Sequence, residues 1–291
     1  MRDELMRIID AWQGKRVLVV GDVCRDQWID CEERENPEAA APVYRKLSTI
    51  RESWGMAELV TSLVDDVGGK ACVLSRDTFA YKTRLLVDGA CQLRFDRDPL
   101  EPMTECEETQ VFANIAKAMP TVDAVIVSDY GKGTCTPDVL QTVFDAASAA
   151  GVPVLVDPAR GTDWERYRGA TWIKANMAER DDGPAVWHDL CQAMIVTDGK
   201  FGIRAHHQRS PVTMIDATPR NAVDPCGCGD ACAAVLGLCL AVGSPIDLAC
   251  RLANYAGGLA VEQLGTPVIT ARLLRDAVRC CTECATRQKQ T

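Results

Sequence analysis

Residues 221–232 read NAVDPCGCGDAC, and two chemistries compete for them. Cys226, Cys228 and Cys232 lie close together, as thiolate ligands of a metal would. Gly227, Gly229 and Asp230 lie there too, just ahead of the apolar run ACAAVLGLCLAVG at 231–243. Glycines before a helix let backbone N–H groups face an anion, and the helix dipole adds positive potential. A carboxylate in that first turn can take a proton from a hydroxyl while the N–H groups steady a transferring phosphoryl group. The metal reading needs more converging ligands. The cysteine spacing is not a usual zinc spacing, and no His is near. A further pair, Cys281 and Cys284, falls on the C-terminal helix that the sequence predicts. A lone Gly-x-Gly is also a weak phosphate signal, so the surroundings must decide.

The chain has 291 residues, 47% hydrophobic and 25% charged, which suits one large α/β domain. A formal net charge of −9 leaves no basic surplus for nucleic-acid phosphates, so no nucleic-acid partner is expected. A small anionic ligand is still compatible with a locally positive site. In MRDELMRIIDAWQGK, Leu5, Ile8, Ile9 and Trp12 share one helical face, which reads as an amphipathic helix and not a signal peptide. No run approaches the roughly 20 apolar residues of a membrane span. A cytoplasmic protein without membrane contacts is expected, and a homodimer is left open. The 15 cysteines form an odd set with no export signal, so they read as reduced. Cys72, Cys239 and Cys250 sit among apolar neighbours and read as small core residues.

Three stretches share one pattern: KRVLVVGDV at 15–23, DAVIVSDYGKG at 123–133 and GVPVLVDPARG at 151–161. Each is an apolar, β-branched run that ends in a carboxylate: Asp22, Asp129 and Asp157. Between the last two, 136–151 opens on Thr-Pro and closes on Gly, which predicts a helix and a βαβ unit. One such Asp only opens a turn. Three together predict a ligand-binding edge beyond the carboxyl ends of parallel strands. Residues 81–99 alternate around Asp88-Gly89, which predicts a β-hairpin serving as a lid around 81–96. GIRAHH at 202–207 and PVTMIDA at 211–217 predict strands, and helices follow at 229–242, 245–262 and 270–285. The fold class is therefore α/β: a mostly parallel central sheet, helices on both faces and a small β lid, in one domain over 1–291.

The 224–230 stretch, Asp-Pro-Cys-Gly-Cys-Gly-Asp, resembles the Asp-Thr-x-Gly-Ala-Gly-Asp signature of the ribokinase-like, PfkB-type sugar kinases. The resemblance covers nearly the whole chain. Within the family it is most similar to the heptose 7-phosphate kinases of ADP-heptose biosynthesis. It implies ATP and Mg2+ as cofactors and a sugar or sugar phosphate as acceptor. It implies Asp230 as catalytic base, with Gly227, Cys228 and Gly229 as anion hole, and it puts the cysteines at positions that bind no metal. GDVCRDQW (21–28) implies Asp22 as a sugar contact, and RENPEAAAPV (34–43) brings in Arg34. SDYGKGT (128–134) brings in Asp129 and Lys132, and GMAELVT (55–61) brings in Gly55. On the nucleotide side, KANMAER (174–180) keeps Asn176 and Glu179, with Glu179 bearing on magnesium indirectly. VTDGKFGI (196–203) contributes Thr197, Gly199 and Gly202, the signature opens on Asp224, and ANYAGG (253–258) puts Asn254 near adenine.

The chain also departs from the pattern. Met56 stands where the family has a second Gly, and Leu59 where it has a sugar-binding Asn. Ala159 replaces a Lys, with Arg160 adjacent. The transfer half matches and the acceptor half is remodelled. An alternative reading follows: a catalytically weak protein of this fold that binds nucleotide or sugar and acts through protein contacts.

Overall fold

The computed structural model describes residues 1–38, 40–208, 211–218 and 220–287, with only the backbone described for 281–287. Cys281 and Cys284 therefore lie outside the described side chains. The three predicted apolar runs become inner strands of one sheet: β1 (Arg16–Gly21), β8 (Ala124–Ser128) and β9 (Val154–Asp157). Two strands outside those runs, β10 (Ala170–Asn176) and β11 (Cys191–Thr197), continue it. With β5 (Lys70–Leu74), these strands pair in parallel, in the order β11-β10-β9-β8-β1-β5. Antiparallel β12 (Ile203–His207) and β13 (Thr213–Ile215) extend the β11 edge.

Alternate side chains of β1 serve two cores, which is why its sequence is continuously apolar. Val17 and Val19 face α1 (Arg2–Ala11), α2 (Ala57–Asp66), α6 (Cys228–Ala241) and α7 (Ile246–Val261). Leu18 and Val20 face α3 (Glu105–Ala118) and α4 (Pro137–Ala150). Leu5, Ile9 and Trp12 are buried as the helical spacing requires, each side chain stabilising by roughly 1.5–3 kcal/mol. In α4 the Thr136 hydroxyl accepts from the Val139 N–H at 3.2 Å, and Gly151 closes the helix in the left-handed region. Helix α6 is apolar all round because it is buried all round, between the sheet and its neighbours α2 and α7. The C-terminal helix is α8 (Ala271–Arg287). Among the described residues, no helix is long and apolar enough to cross a membrane.

The lid expectation needs enlarging. The hairpin exists as β6 (Ala80–Val87) and β7 (Ala90–Arg97), turning at Asp88 and Gly89, both with positive φ. It is only part of a five-stranded second sheet with β2 (Val23–Arg34), β3 (Val43–Lys46) and β4 (Arg51–Met56). Strand β2 starts straight after Asp22, so the second sheet grows out of the end of β1. Its side chains are mostly half-buried, so the sequence shows no apolar run there. Cys72 is a second correction. It points outward from edge strand β5 and is exposed, whereas Cys239 and Cys250 are fully buried.

Candidate active site

The strand order reverses between β1 and β8, and ligands of such sheets bind at that point. The loop after β8 is built there by two carboxylates. Asp22 accepts three backbone N–H bonds at 2.9 Å, from Tyr130, Lys132 and Thr134. Asp129 accepts from the Gly131 N–H and the Tyr167 hydroxyl, both at 2.8 Å, with Arg166 at 3.7 Å. Burial pushes the Asp129 carboxyl up, against the pull of these donors and of Arg166. Both side chains are almost wholly enclosed. They were expected at the sugar, and the structure turns them into the loop instead.

That loop presents Tyr130, whose hydroxyl donates to Oδ1 of Asp230 at 2.8 Å. Tyr130 exposes 36% of its surface, yet its hydroxyl end is turned inward, and this enclosed end governs its chemistry. Burial pushes the phenol well above its ordinary range, and the Asp230 charge adds to that. Asp230 sits in the first turn of α6, where N–H groups have no intrahelical partner. Burial raises its carboxyl, while Tyr130, Lys174 and Lys82 oppose the rise. Gly227 precedes the helix with φ +75°, and a Cβ there would stand 2.6 Å from Pro267 Cδ. No other residue fits that conformation and that space. The Cys228 N–H closes a turn onto the Pro225 carbonyl at 3.3 Å. Asp224 opens the loop by accepting from the N–H groups of Cys226 (2.9 Å) and Gly265 (3.0 Å). Burial would raise its carboxyl, but these donors prevail and hold it low.

The three cysteines of this stretch diverge. Cys226 is exposed, Cys228 is half-buried, and Cys232 donates to the Ala253 carbonyl at 3.3 Å inside the core. Among the described residues no three His, Cys, Asp or Glu side chains form a metal-binding group.

Of the residues expected at the nucleotide, Asn176 and Glu179 form a reciprocal cap on α5 (Met177–Asp182), the bonds running 2.5–3.0 Å. Arg160 stands 3.7 Å from Glu179. Thr197 ends β11 and donates to the Ala175 carbonyl at 3.4 Å, while Gly199 and Gly202 shape the turn into β12. Asn254, on α7, donates to the Asp216 carbonyl at 3.0 Å.

The second sheet supplies residues that the sequence reading missed. Asp26 on β2 pairs with Arg84 on β6 at 2.6 Å and lies opposite Lys82 in the strand register. The Lys82 ammonium stands 5.5 Å from the centre of the Tyr130 ring. Gly55 leaves room for this carboxylate: a Cβ there would stand 2.3 Å from Asp26 Oδ2. The signal was available, since Lys82 and Arg84 share a face at period two. Lys132 guards the loop's other end, its ammonium on Asp98 at 2.5 Å. Arg34 does not join. It lies eight residues beyond Asp26 on β2, roughly 25 Å along the strand, and is exposed beside Glu32. Leu59 is a core residue, and Met56 packs with Cys24 and Ala80. A groove of about 750 Å³, lined by α4 and residues such as Pro153 and Arg168, opens at the sheet's opposite edge and shares only Arg166 with the site residues above.

An enclosed carboxylate at a helix N-terminus, at the carboxyl edge of a mostly parallel sheet and facing a small second sheet, is the ribokinase-like kinase arrangement. Solved structures carry the same fold. The phosphofructokinase-2 of Escherichia coli in complex with potassium matches with a TM-score of 0.71 at 14% identity, over 93% of this chain and 100% of that one. The nucleoside kinase of Burkholderia thailandensis in complex with inosine matches at 0.67 and 20% identity, over 91% and 96%. The family model described as "pfkB family carbohydrate kinase" matches residues 81–270, and the chain belongs to that family. The chain is 32% identical to the "Bifunctional protein HldE" of Caulobacter vibrioides, covering 93% of this chain and spanning 65% of that protein's length.

Proposed function

We propose that this protein transfers the γ-phosphoryl group of ATP to a hydroxyl of a sugar or sugar phosphate, with heptose 7-phosphate as the first acceptor to test. The observation that carries the reading is the Asp230 carboxylate, enclosed at the first turn of α6 and oriented by Tyr130. The acceptor oxygen bonds to the γ-phosphorus as the bond to the bridging oxygen breaks. Its proton passes to Asp230, and ADP leaves. The N–H groups of Gly227 and Gly229 and the α6 dipole offset charge on the moving group, and the Cys228 N–H joins them once it leaves the Pro225 carbonyl it bonds at 3.3 Å. Asp26, Lys82 and Arg84 meet the acceptor from the second sheet, which acts as the lid of one kinase domain over residues 1–291. Asp22 and Asp129 hold the loop between the two halves.

The nucleotide lies along Asn176, Thr197, Gly199, Gly202 and Asn254. Magnesium suits this donor set only indirectly, because Glu179 is already bonded to Asn176 and close to Arg160. When bound with the nucleotide it would neutralise phosphate charge. The heptose assignment rests on the resemblance of the 34–43, 128–134 and 156–161 segments and on the HldE relative.

A phosphoryl-transfer screen with ATP, magnesium and a panel of sugars and sugar phosphates tests the reading. Turnover on a sugar phosphate supports it, and nucleotide binding without turnover on any acceptor overturns it. The second reading, a nucleotide- or sugar-binding protein with weak catalysis, draws on Met56 and Leu59, which fill the acceptor corner with buried apolar groups.

A further inference from the structure

The sheet face beneath α6 holds a buried charge pair that the transfer step above does not use. Lys174 on β10 and Asp157 at the end of β9 both point toward the first turn of α6. The Lys174 ammonium donates to Asp157 Oδ2 at 2.6 Å and reaches the Gly229 carbonyl at 3.5 Å. A Cβ placed on Gly229 would stand 3.2 Å from that ammonium, so the charge fills the space under the residue before Asp230. Lys174 is 3% exposed, Asp157 7% and Asp230 7%, so the ammonium that Asp157 holds acts on the neighbouring Asp230 through space with little solvent screening. Burial drives carboxylates toward their neutral forms, and a base must be charged to accept a proton.

We propose that Lys174 is a positioning residue of the transfer site: pinned by Asp157 under the first turn of α6, its ammonium keeps Asp230 in the charged form that accepts the acceptor's proton. The proposal rests on Asp230 being the base.

The other groups around Asp230 do not replace this cation. From the second sheet come Lys82 on β6 and Asp26 and Cys24 on β2, where the Asp26 charge offsets that of Lys82. The loop after β8 offers only the Tyr130 hydroxyl. From α6 itself come the thiols of Cys228 and Cys232, pushed by burial up to about 12 and about 11, hence uncharged at neutral pH. Asp157 adds a like charge; burial pushes it up to about 7, against the pull of Lys174. Of the two cations, Lys174 alone is built into the main sheet.

The two halves of the pair should act with opposite sign. Lys174→Met removes the favourable charge, and the acidic limb of kcat/KM against pH should rise by about one unit or more. Activity should recover as pH is raised. Asp157→Asn removes a like charge and leaves the ammonium to Asp230, so the limb should fall. A pair that only supports the fold would lower activity in both variants without moving the limbs apart. Unmoved limbs, or limbs moving the same way, overturn the proposal. If Lys174→Met does not fold, the direction of the Asp157→Asn shift decides alone. Carbon-13 NMR titration of the Asp230 carboxyl, assigned by its loss in Asp230→Asn, follows the same shifts in the resting protein. Opposite shifts without turnover on any acceptor would remove the kinase reading and leave the Lys174 role standing. Turnover with an unmoved Asp230 would do the reverse.

Discussion

The Tyr130 hydroxyl donates to Oδ1 of Asp230 at 2.8 Å, joining the loop after β8 to the first turn of α6 across 100 residues of sequence. The bond fixes one carboxylate oxygen and leaves the other for the acceptor's proton. Asp230→Asn keeps the shape and the hydrogen bond but cannot take up that proton. Turnover should fall roughly a hundredfold or more, while ATP binding measured by calorimetry stays near wild type. Full turnover in a folded Asp230→Asn protein would refute the base assignment.

Asp22 is a stability residue by the same logic. It accepts three backbone N–H bonds from one loop, that of Thr134 buried and those of Tyr130 and Lys132 part-buried. Asp22→Ala leaves all three donors unmet, each at about 1–3 kcal/mol, so the loss should be roughly 3 kcal/mol or more in denaturant unfolding. A loss well under about 1 kcal/mol would show that the loop finds other acceptors.

The transfer half was legible because its signals are local. Gly227, Gly229 and Asp230 stand together before an apolar helix, and β1, β8 and β9 are unbroken apolar runs closed by Asp. The second sheet was half legible: Asp88-Gly89 gave the hairpin, but β2 carries WIDCEER, which is neither apolar nor strictly alternating. The roles of Asp22 and Asp129 were misplaced for a different reason. A carboxylate at a strand end looks the same in sequence whether it faces a ligand or the backbone N–H groups of its own or the neighbouring strand's loop. The Lys174–Asp157 pair was invisible because its partners meet only through the β9–β10 register.

Gly227 and Gly229 should differ sharply on substitution. A Cβ at Gly227 would stand 2.6 and 2.7 Å from Pro267 carbons, with φ at +75°. The loop would have to move, and a displacement of about 1 Å can cost on the order of a hundredfold in kcat/KM. A Cβ at Gly229 would meet only the Lys174 ammonium, at 3.2 Å. Steady-state kinetics should rank Gly227→Ala well below Gly229→Ala. Equal effects would show that backbone conformation at Gly227 does not limit catalysis.

Met56 holds a backbone conformation that favours glycine. With φ +60° and ψ −132° it sits in a sparsely populated region costing a side-chain-bearing residue roughly 1–3 kcal/mol, and it is 3% exposed against Cys24 and Ala80. Leu59, 6% exposed, approaches the Cβ position of Gly227 to 3.3 Å, so it packs against the anion loop where the family places a polar sugar contact. Met56→Gly relieves strain but gives up a buried side chain, about 1.5–3 kcal/mol. Leu59→Asn buries an amide, at about 1–3 kcal/mol unless a ligand meets it. The double variant should therefore be less stable without a sugar and regain stability with one. If heptose 7-phosphate binds in the family manner, the missing hydrogen bond weakens wild type roughly ten- to a hundredfold, and the double variant should recover that in KM. Thermal shift with and without heptose 7-phosphate, beside steady-state kinetics, measures both effects. Efficient wild-type turnover with no gain in the double variant would mean that this acceptor never reaches the Met56–Leu59 corner.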